Sequence, residues 1–196
     1  MKKKSIYKML GIRLQVFVAL QRNDAQGPWQ YNNKLPSIEM HRDLTLDFQI
    51  LHFVALCVDD IIVSTQFLND EEFATLQNIN LHLITLSLKT DRGYFLTKQL
   101  ILFAQNLAEY MIRSTFARIK YQDCDLPARP LSGKYFEKGD IVILNNKAQN
   151  YKGEVQIITK RMINDGIRNL FGQLDENEQK IVDCLLPNQE FRFNLS

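Results

Sequence analysis

Apolar residues along the first 120 positions of this chain recur mostly at intervals of three and four, and beyond that point the pattern shortens. Ile6, Leu10, Leu14, Phe17 and Leu20 fall on one stripe, with Lys8, Arg13 and Arg22 opposite, which predicts an amphipathic helix over 5–22, weakened by Gly11. Residues 23–37 collect Gly, Pro, Asn and Asp and read as a connecting loop, with Trp29 as an anchor to the core. Ile38, Met40, Leu44, Leu46, Phe48 and Ile50 alternate with polar residues as a strand does, whereas Phe53 to Ile62 has helical spacing. Residues 44–65 are therefore expected to be helical, with a β-hairpin as the open alternative.

Asn69, with Glu72 three residues on, reads as a helix N-cap, and Phe73, Leu76, Ile79, Leu83 and Leu86 extend one buried face to Lys89. A second long helix is expected over 97–116, from Leu100, Ile101, Phe103, Ala104, Leu107, Ala108, Met111 and Ile112. Pro127 and Pro130 then forbid regular helix. Ile141–Leu144 and Val155–Thr159 are expected to pair antiparallel across a polar turn at Asn145 and Asn146. Short helices are expected at 161–173 and 176–186, the latter capped by Asp175, with a coil or short edge strand after Pro187. The fold class that follows is α+β. A helix-rich part of three to four amphipathic helices, 1–122, precedes a small antiparallel β-element, hairpin or barrel-like, with two short helices, 123–196, the two forming separate parts or one single domain.

Charge is sorted along the sequence. Residues 1–22 hold six Lys or Arg and no acid, 23–112 net −6, 113–168 net +5, and 169–196 net −3, within an overall +2. Such blocks predict surfaces that face different partners. At 196 residues and 45% hydrophobic, the chain has the composition of an ordinary globular protein. The three cysteines, Cys57, Cys124 and Cys184, are scattered, so no disulfide framework is implied. The basic N-terminus lacks the unbroken apolar core and small-residue site of a signal peptide, and the run Ile50–Val63 is too short to span a bilayer. A cytoplasmic protein without membrane contact is expected.

Few residues suggest chemistry. His41-Arg-Asp-Leu44 matches the start of a kinase catalytic loop, but Phe48 stands where that loop needs Asn and no glycine loop precedes it. His41, His52 and His82 lack metal-ligand spacing. His52 and His82 read as hydrogen-bonded residues at the edge of the core. The adjacent acids Asp59 and Asp60, inside an apolar stretch, would be costly to bury without a cation or metal. On a hairpin tip, Val58-Asp-Asp-Ile-Ile-Val-Ser64 resembles the metal-binding turn of class III nucleotidyl cyclases, and Leu126–Glu154, with Arg129, is similar to their later strand and helix. That resemblance implies a nucleotide-acting enzyme, or an inactive relative, holding Mg²⁺ or Mn²⁺ on Asp59 and Asp60. The first-strand acid of that family is missing from Leu14–Leu20.

Phe136–Leu144 and Tyr151–Val155 resemble the opening hairpin of small SH3-like barrels. Arg113, Arg118, Lys120, Arg129, Lys134, Lys138 and Lys152 lie around Tyr151 and other aromatics, a combination that serves phosphate attraction and base stacking. With no cofactor required and no assembled catalytic constellation, the expected function is that of a non-catalytic accessory or adaptor subunit. It would bind protein partners and contact nucleic acid through those basic residues.

Overall fold

A computed structural model describes residues 6–7, 9–28, 36–90, 101–130 and 132–195. The chain divides into two compact units, Met1–Leu81 and His82–Ser196. The change of sequence texture at 122/123 falls inside the second.

In the first unit, strand β1 (Gln15–Val18) pairs in parallel with β2 (Asp60–Val63), Gln15 opposite Asp60 and Val18 opposite Val63. Parallel neighbours need a crossover, and helix α1 (Leu46–Ala55) lies within it. Helix α2 (Asp70–Asn78) follows β2. Val18, Leu20, Leu46, Ile50 and Phe53 form the core, with Val16, Ile61, Val63, Leu76 and Ile79 packed against it.

Local chemistry explains these choices. Val-Phe-Val at 16–18 carries β-branched and aromatic side chains that suit a pleated surface, and Gly11, at φ +68°, closes the turn before it. Of the helix expected over 5–22, residues 6, 7 and 9 are helical, with the Leu10 amide donating to Ile6 O at 3.0 Å, and 15–18 forms β1 instead. Between 44 and 65 neither expectation holds throughout: α1 stops at Ala55, Cys57 turns at φ +48°, and β2 begins at Asp60. At α2 the capping box is present, since Asn69 Oδ1 accepts the Glu72 amide at 2.8 Å and Glu72 Oε2 accepts the Asn69 amide at 2.9 Å. That helix ends at Asn78, and the rest of the expected 69–89 helix contains a strand.

The second unit is mostly strand. In order along the chain it contains β3 (Ile84–Leu88), β4 (Leu102–Phe103), β5 (Asn106–Leu107), β6 (Met111–Ser114), helix α3 (Ala117–Tyr121), β7 (Tyr135–Phe136), β8 (Asp140–Leu144), β9 (Val155–Ile158), β10 (Met162–Ile163), β11 (Arg168–Gln173), helix α4 (Glu176–Val182) and β12 (Glu190–Leu195). One sheet runs β11-β8-β9-β6-β5 and another β3-β12-β4.

Two seams join these sheets. Residues 102–107 pass from one to the other, β4 pairing with β12 and β5 with β6, while the Gln105 amide donates to Arg113 O at 3.1 Å. At the other edge Lys89 bridges Gln173, whose amide donates to Lys89 O at 3.3 Å, and Thr90 Oγ1 donates to Phe171 O at 2.6 Å. The strands thus close into a barrel, which leaves no long free edge. Gly172 is required at the second seam, because a Cβ there would lie 2.6 Å from Lys89 O.

Both faces of β8 and β9 are buried. Ile141, Ile143, Val155 and Ile157 point one way, by the pleat. On the other face Val142 and Ile158 pack under Phe136, with Met111, Met162 and Leu170 around them. The antiparallel pairing of β8 with β9 agrees with the expectation from sequence, as does the Asp175 cap of α4, whose carboxylate accepts the Asn177 and Glu178 amides at 3.0 Å.

The helix-rich picture is corrected. Among the described residues there are twelve strands, four short α-helices besides the helical residues Ile6, Tyr7 and Met9, and two 3₁₀ segments, Glu39–His41 and Asn146–Tyr151. Of the helix expected over 97–116, residues 97–100 lie outside the described residues and the remainder forms β4, β5 and β6. These strands are too short for a period of two to register, and laid end to end their apolar positions imitate a helical stripe. Residues 161–173 form β10 and β11 rather than a helix, and the tail forms β12, a central strand between β3 and β4. Trp29 lies outside the described residues.

Candidate functional site

Ligands of parallel α/β segments bind where loops leave the carboxyl ends of the strands. Here those ends, Val18 and Val63, are adjacent. The connection from β1 to α1, described over 19–28 and 36–45, contains the 3₁₀ segment Glu39–His41.

Its described part is braced by buried polar groups. Gln49, on α1, accepts the Ala19 amide at 3.0 Å and donates to Ala19 O and Leu44 O, each at 2.8 Å. Thr65 Oγ1 accepts the Leu20 amide at 3.0 Å, and Ser64 Oγ donates to Val18 O at 2.9 Å. Gln26 bridges Gln66. Further along, buried His41 places Nε2 2.8 Å from Nδ1 of His52, one ring donating and the other accepting, beside Phe48 and Phe53.

Arg22 is the hub at this end. Its guanidinium meets both carboxylate oxygens of Asp24 at 2.8 and 2.7 Å, Glu72 Oε1 at 3.0 Å, and the carbonyl of Phe67. One cation thereby ties the connection after β1 to the start of α2 after β2. Asp24 is 75% exposed and Glu72 15%. Both acids are held by charge-assisted hydrogen bonds, so the site offers a fixed guanidinium between an open and a sheltered carboxylate. Arg42 pairs with Glu39 at 2.8 Å on the same connection. Neither Arg22 nor Glu72 belongs to a recognisable motif; the capping pattern at Asn69 was the one signal that singled out Glu72.

Asp59 and Asp60 lie elsewhere, at the amino end of β2. Asp59 Oδ2 accepts the Leu14 amide at 2.9 Å, and Asp60 is paired with Arg13, whose guanidinium holds that carboxyl below its usual range. They stand on no hairpin tip. Among the described residues no group of three or more His, Cys, Asp or Glu is placed to hold a metal. The motif at His41 starts on the last residue of a 3₁₀ turn, itself buried while Glu39 and Met40 are exposed, and His82 is exposed.

The basic residues of the second unit scatter. Arg113 forms a bidentate pair with buried Glu154 at 2.6 and 2.9 Å, Lys138 pairs with Asp183 at 2.7 Å, and Lys134 lies 5.5 Å over Tyr135. Lys120 is exposed on α3, and the Arg129 amide donates to Asn169 Oδ1 at 3.0 Å. Arg113, Arg118 and Tyr151 do converge, with both guanidinium groups within 5.4 and 6.0 Å of the Tyr151 ring, and Lys152 lines the same cleft as Arg118. Charge blocks that look separate in sequence cancel in space, as in Arg13–Asp60 and Lys138–Asp183.

A parallel strand-helix-strand segment with a charged cluster at its strand ends, carried in one chain with a closed barrel, defines a strand-rich protein of mixed α and β structure with ligand-site architecture. The comparisons make this specific. The family model described as "6-phospho-N-acetylmuramidase, C-terminal" matches residues 91–194, and that described as "6-phospho-N-acetylmuramidase, N-terminal" matches residues 1–78. The chain belongs to the 6-phospho-N-acetylmuramidase family.

The crystal structure of an uncharacterized B. cereus protein is 33% identical, with a TM-score of 0.80, over 97% of this chain and 56% of that one. A conserved Enterococcus faecalis protein of unknown function shares the fold, at 18% identity and a TM-score of 0.64, over 100% of this chain and 53% of that one. The chain thus spans little more than half the length of these solved structures. No curated protein matches it.

A family named for an enzyme overturns the expectation of a non-catalytic accessory subunit with protein and nucleic-acid partners, and equally the nucleotidyl-cyclase alternative. Among the described residues no helix is long and apolar enough to cross a membrane.

Proposed function

We propose that this chain takes part in hydrolysing glycosidic bonds of 6-phospho-N-acetylmuramic acid. The observation that carries this reading is that both family models match in order, 1–78 and then 91–194, across the two compact units. Glycoside hydrolysis ordinarily uses two carboxyl groups beside the scissile bond, and a phosphorylated sugar calls for a guanidinium or ammonium partner. Asp24, Glu72 and Arg22 supply both kinds of group at the carboxyl ends of β1 and β2. Glu72 is tied to Asn69 and Arg22 and serves to position the guanidinium, which leaves the open Asp24 as the carboxylate that a substrate reaches. A phosphorylated sugar does not cross a bilayer unaided, so the enzyme is placed in the cytoplasm, where such sugars are made and kept.

The test is release of nitrophenol from the p-nitrophenyl glycoside of 6-phospho-N-acetylmuramic acid. Turnover of the phosphorylated glycoside is expected, with its unphosphorylated counterpart slower by about tenfold or more, the worth of one charge-assisted contact. Arg22→Met should lower kcat/KM by about a hundredfold, as loss of a preorganised donor does elsewhere. No release from the phosphorylated glycoside overturns the reading.

A further inference from the structure

In the second unit, α3 and the connection from β8 to β9 enclose a cleft of about 250 Å³, lined by Arg118, Ile119, Gln122, Gln149, Asn150 and Lys152. Its two cations differ from five others in this unit. Arg113, Lys138, Lys160, Arg161 and Arg168 each meet a carboxylate. By contrast, Lys152 Nζ donates to Cys124 O at 3.0 Å and Arg118 to Asn150 O at 3.5 Å, both neutral carbonyls. Among the described residues neither cation meets a carboxylate, and the cleft's lining holds two cations and no acid.

The rest of its wall is neutral and polar, or apolar. Gln122, Gln149 and Asn150 contribute carboxamides, which can both donate and accept, and Ile119, 62% exposed, adds an apolar surface. Next to these stands the ring of Tyr151, half exposed, with Arg113 and Arg118 over it.

This wall is built rather than loose. Buried Asn145 accepts the Lys147 amide at 3.0 Å and donates to Gly166 O and Asn169 Oδ1, each at 3.1 Å, which fixes the start of the connection. At its end Gly153, at φ +82°, lies so close to α3 that a Cβ would meet Tyr121 Cβ at 2.6 Å. Between these anchors Gln149 is held at φ 52°, ψ −117°. A non-glycine residue kept there carries strain, and such strain gathers at ligand sites.

We propose that this cleft is a binding site for one acidic sugar residue. Its phosphate or carboxylate would lie between Arg118 and Lys152, its ring against Ile119 and Tyr151, and its hydroxyl and acetamido groups on the three carboxamides. The volume admits a single ring rather than a polymer. That the sugar is a muramic acid derivative rests on the function proposed above; the acidic-sugar class rests on the cleft alone.

The experiment is an NMR titration of the whole chain with N-acetylmuramic acid 6-phosphate, N-acetylmuramic acid, N-acetylglucosamine and inorganic phosphate, following the amides of 118–122 and 146–153. Saturable shifts there are expected with the acidic sugars, about tenfold weaker or absent with N-acetylglucosamine. Arg118→Gln and Lys152→Met should each weaken binding about tenfold. Ile119→Glu, at an exposed position where folding is not at stake, should abolish it. The site is rejected if no acidic sugar shifts these amides, if the neutral sugar binds as well, or if Ile119→Glu changes nothing. Inorganic phosphate binding as tightly as the sugars means an adventitious ion only and also rejects it. Glycoside turnover without shifts at this cleft keeps the proposed function and removes the site; shifts without turnover do the reverse.

Discussion

The two units solve the problem of burying polar backbone in opposite ways. In the first, β1 and β2 are short, and the connection leaving them is held by side chains: Gln49, Thr65 and Ser64 hydrogen-bond to main-chain groups of residues 18–20 and 44. In the second, closure of the barrel lets main chain pair with main chain at both seams, assisted by Thr90 Oγ1 at one and Ser114 Oγ at the other, and Arg113, Glu154, Gln156 and Arg168 form one largely buried charged network. The comparison teaches where mutation is tolerated. A unit braced by side chains is sensitive at polar positions, whereas one braced by closure is sensitive at glycines and at buried charge.

The largest expected effect tests the buried charge. Arg113→Ala would leave Glu154, fully buried, with Gln156 as its one side-chain donor among the described residues, and should cost about 3 kcal/mol or more in urea unfolding, because an unpaired carboxylate stays in a poor solvent. A loss below about 1 kcal/mol, typical of a surface pair, would show that Glu154 is solvated after all. Next is closure: Gly172→Ala forces a Cβ against Lys89 O and should cost about 2–3 kcal/mol, with faster hydrogen exchange in β3 and β11. Unchanged exchange there would mean that the seam does not close the barrel.

The first unit supplies the smaller effects. Gln49→Ala leaves the Ala19 amide without its side-chain partner and the Ala19 carbonyl with Gln21 Nε2 alone, and should cost about 2 kcal/mol, with exchange rising at Ala19 and Leu20. If instead the change is neutral, the side-chain brace is not what holds the connection. Asn69→Ala removes the reciprocal cap and should cost about 1 kcal/mol, read as lost helicity in α2. Glu72→Gln, which keeps the shape of the cap but weakens the hold on Arg22, would separate capping from charge.

Legibility in the sequence followed the range of the interactions. The Asn69 and Asp175 caps depend on residues two and three apart, so their residue types disclose them. The β8–β9 pair was visible because a turn separates two apolar runs of similar composition. Residues 101–116 were misread because strands of two to four residues cannot display their own period. β12 looked like an edge strand or coil because its neighbour β3 lies a hundred residues earlier. The charge blocks misled for the same reason, since linear order says nothing about which block folds against which. The Arg22 cluster joins Asp24 to Glu72, partners 2 and 50 residues away, and no local pattern marks that union.

By itself the sequence determined the helix caps and one hairpin-like strand pair, both consequences of neighbours a few residues apart. Only the tertiary structure decided that the apolar stretches would be strands, that they would close into a barrel, and which cations would meet carboxylates. The reason is physical: hydrogen bonding between strands and neutralisation of charge depend on distance in space, and the chain sets that distance only when it folds.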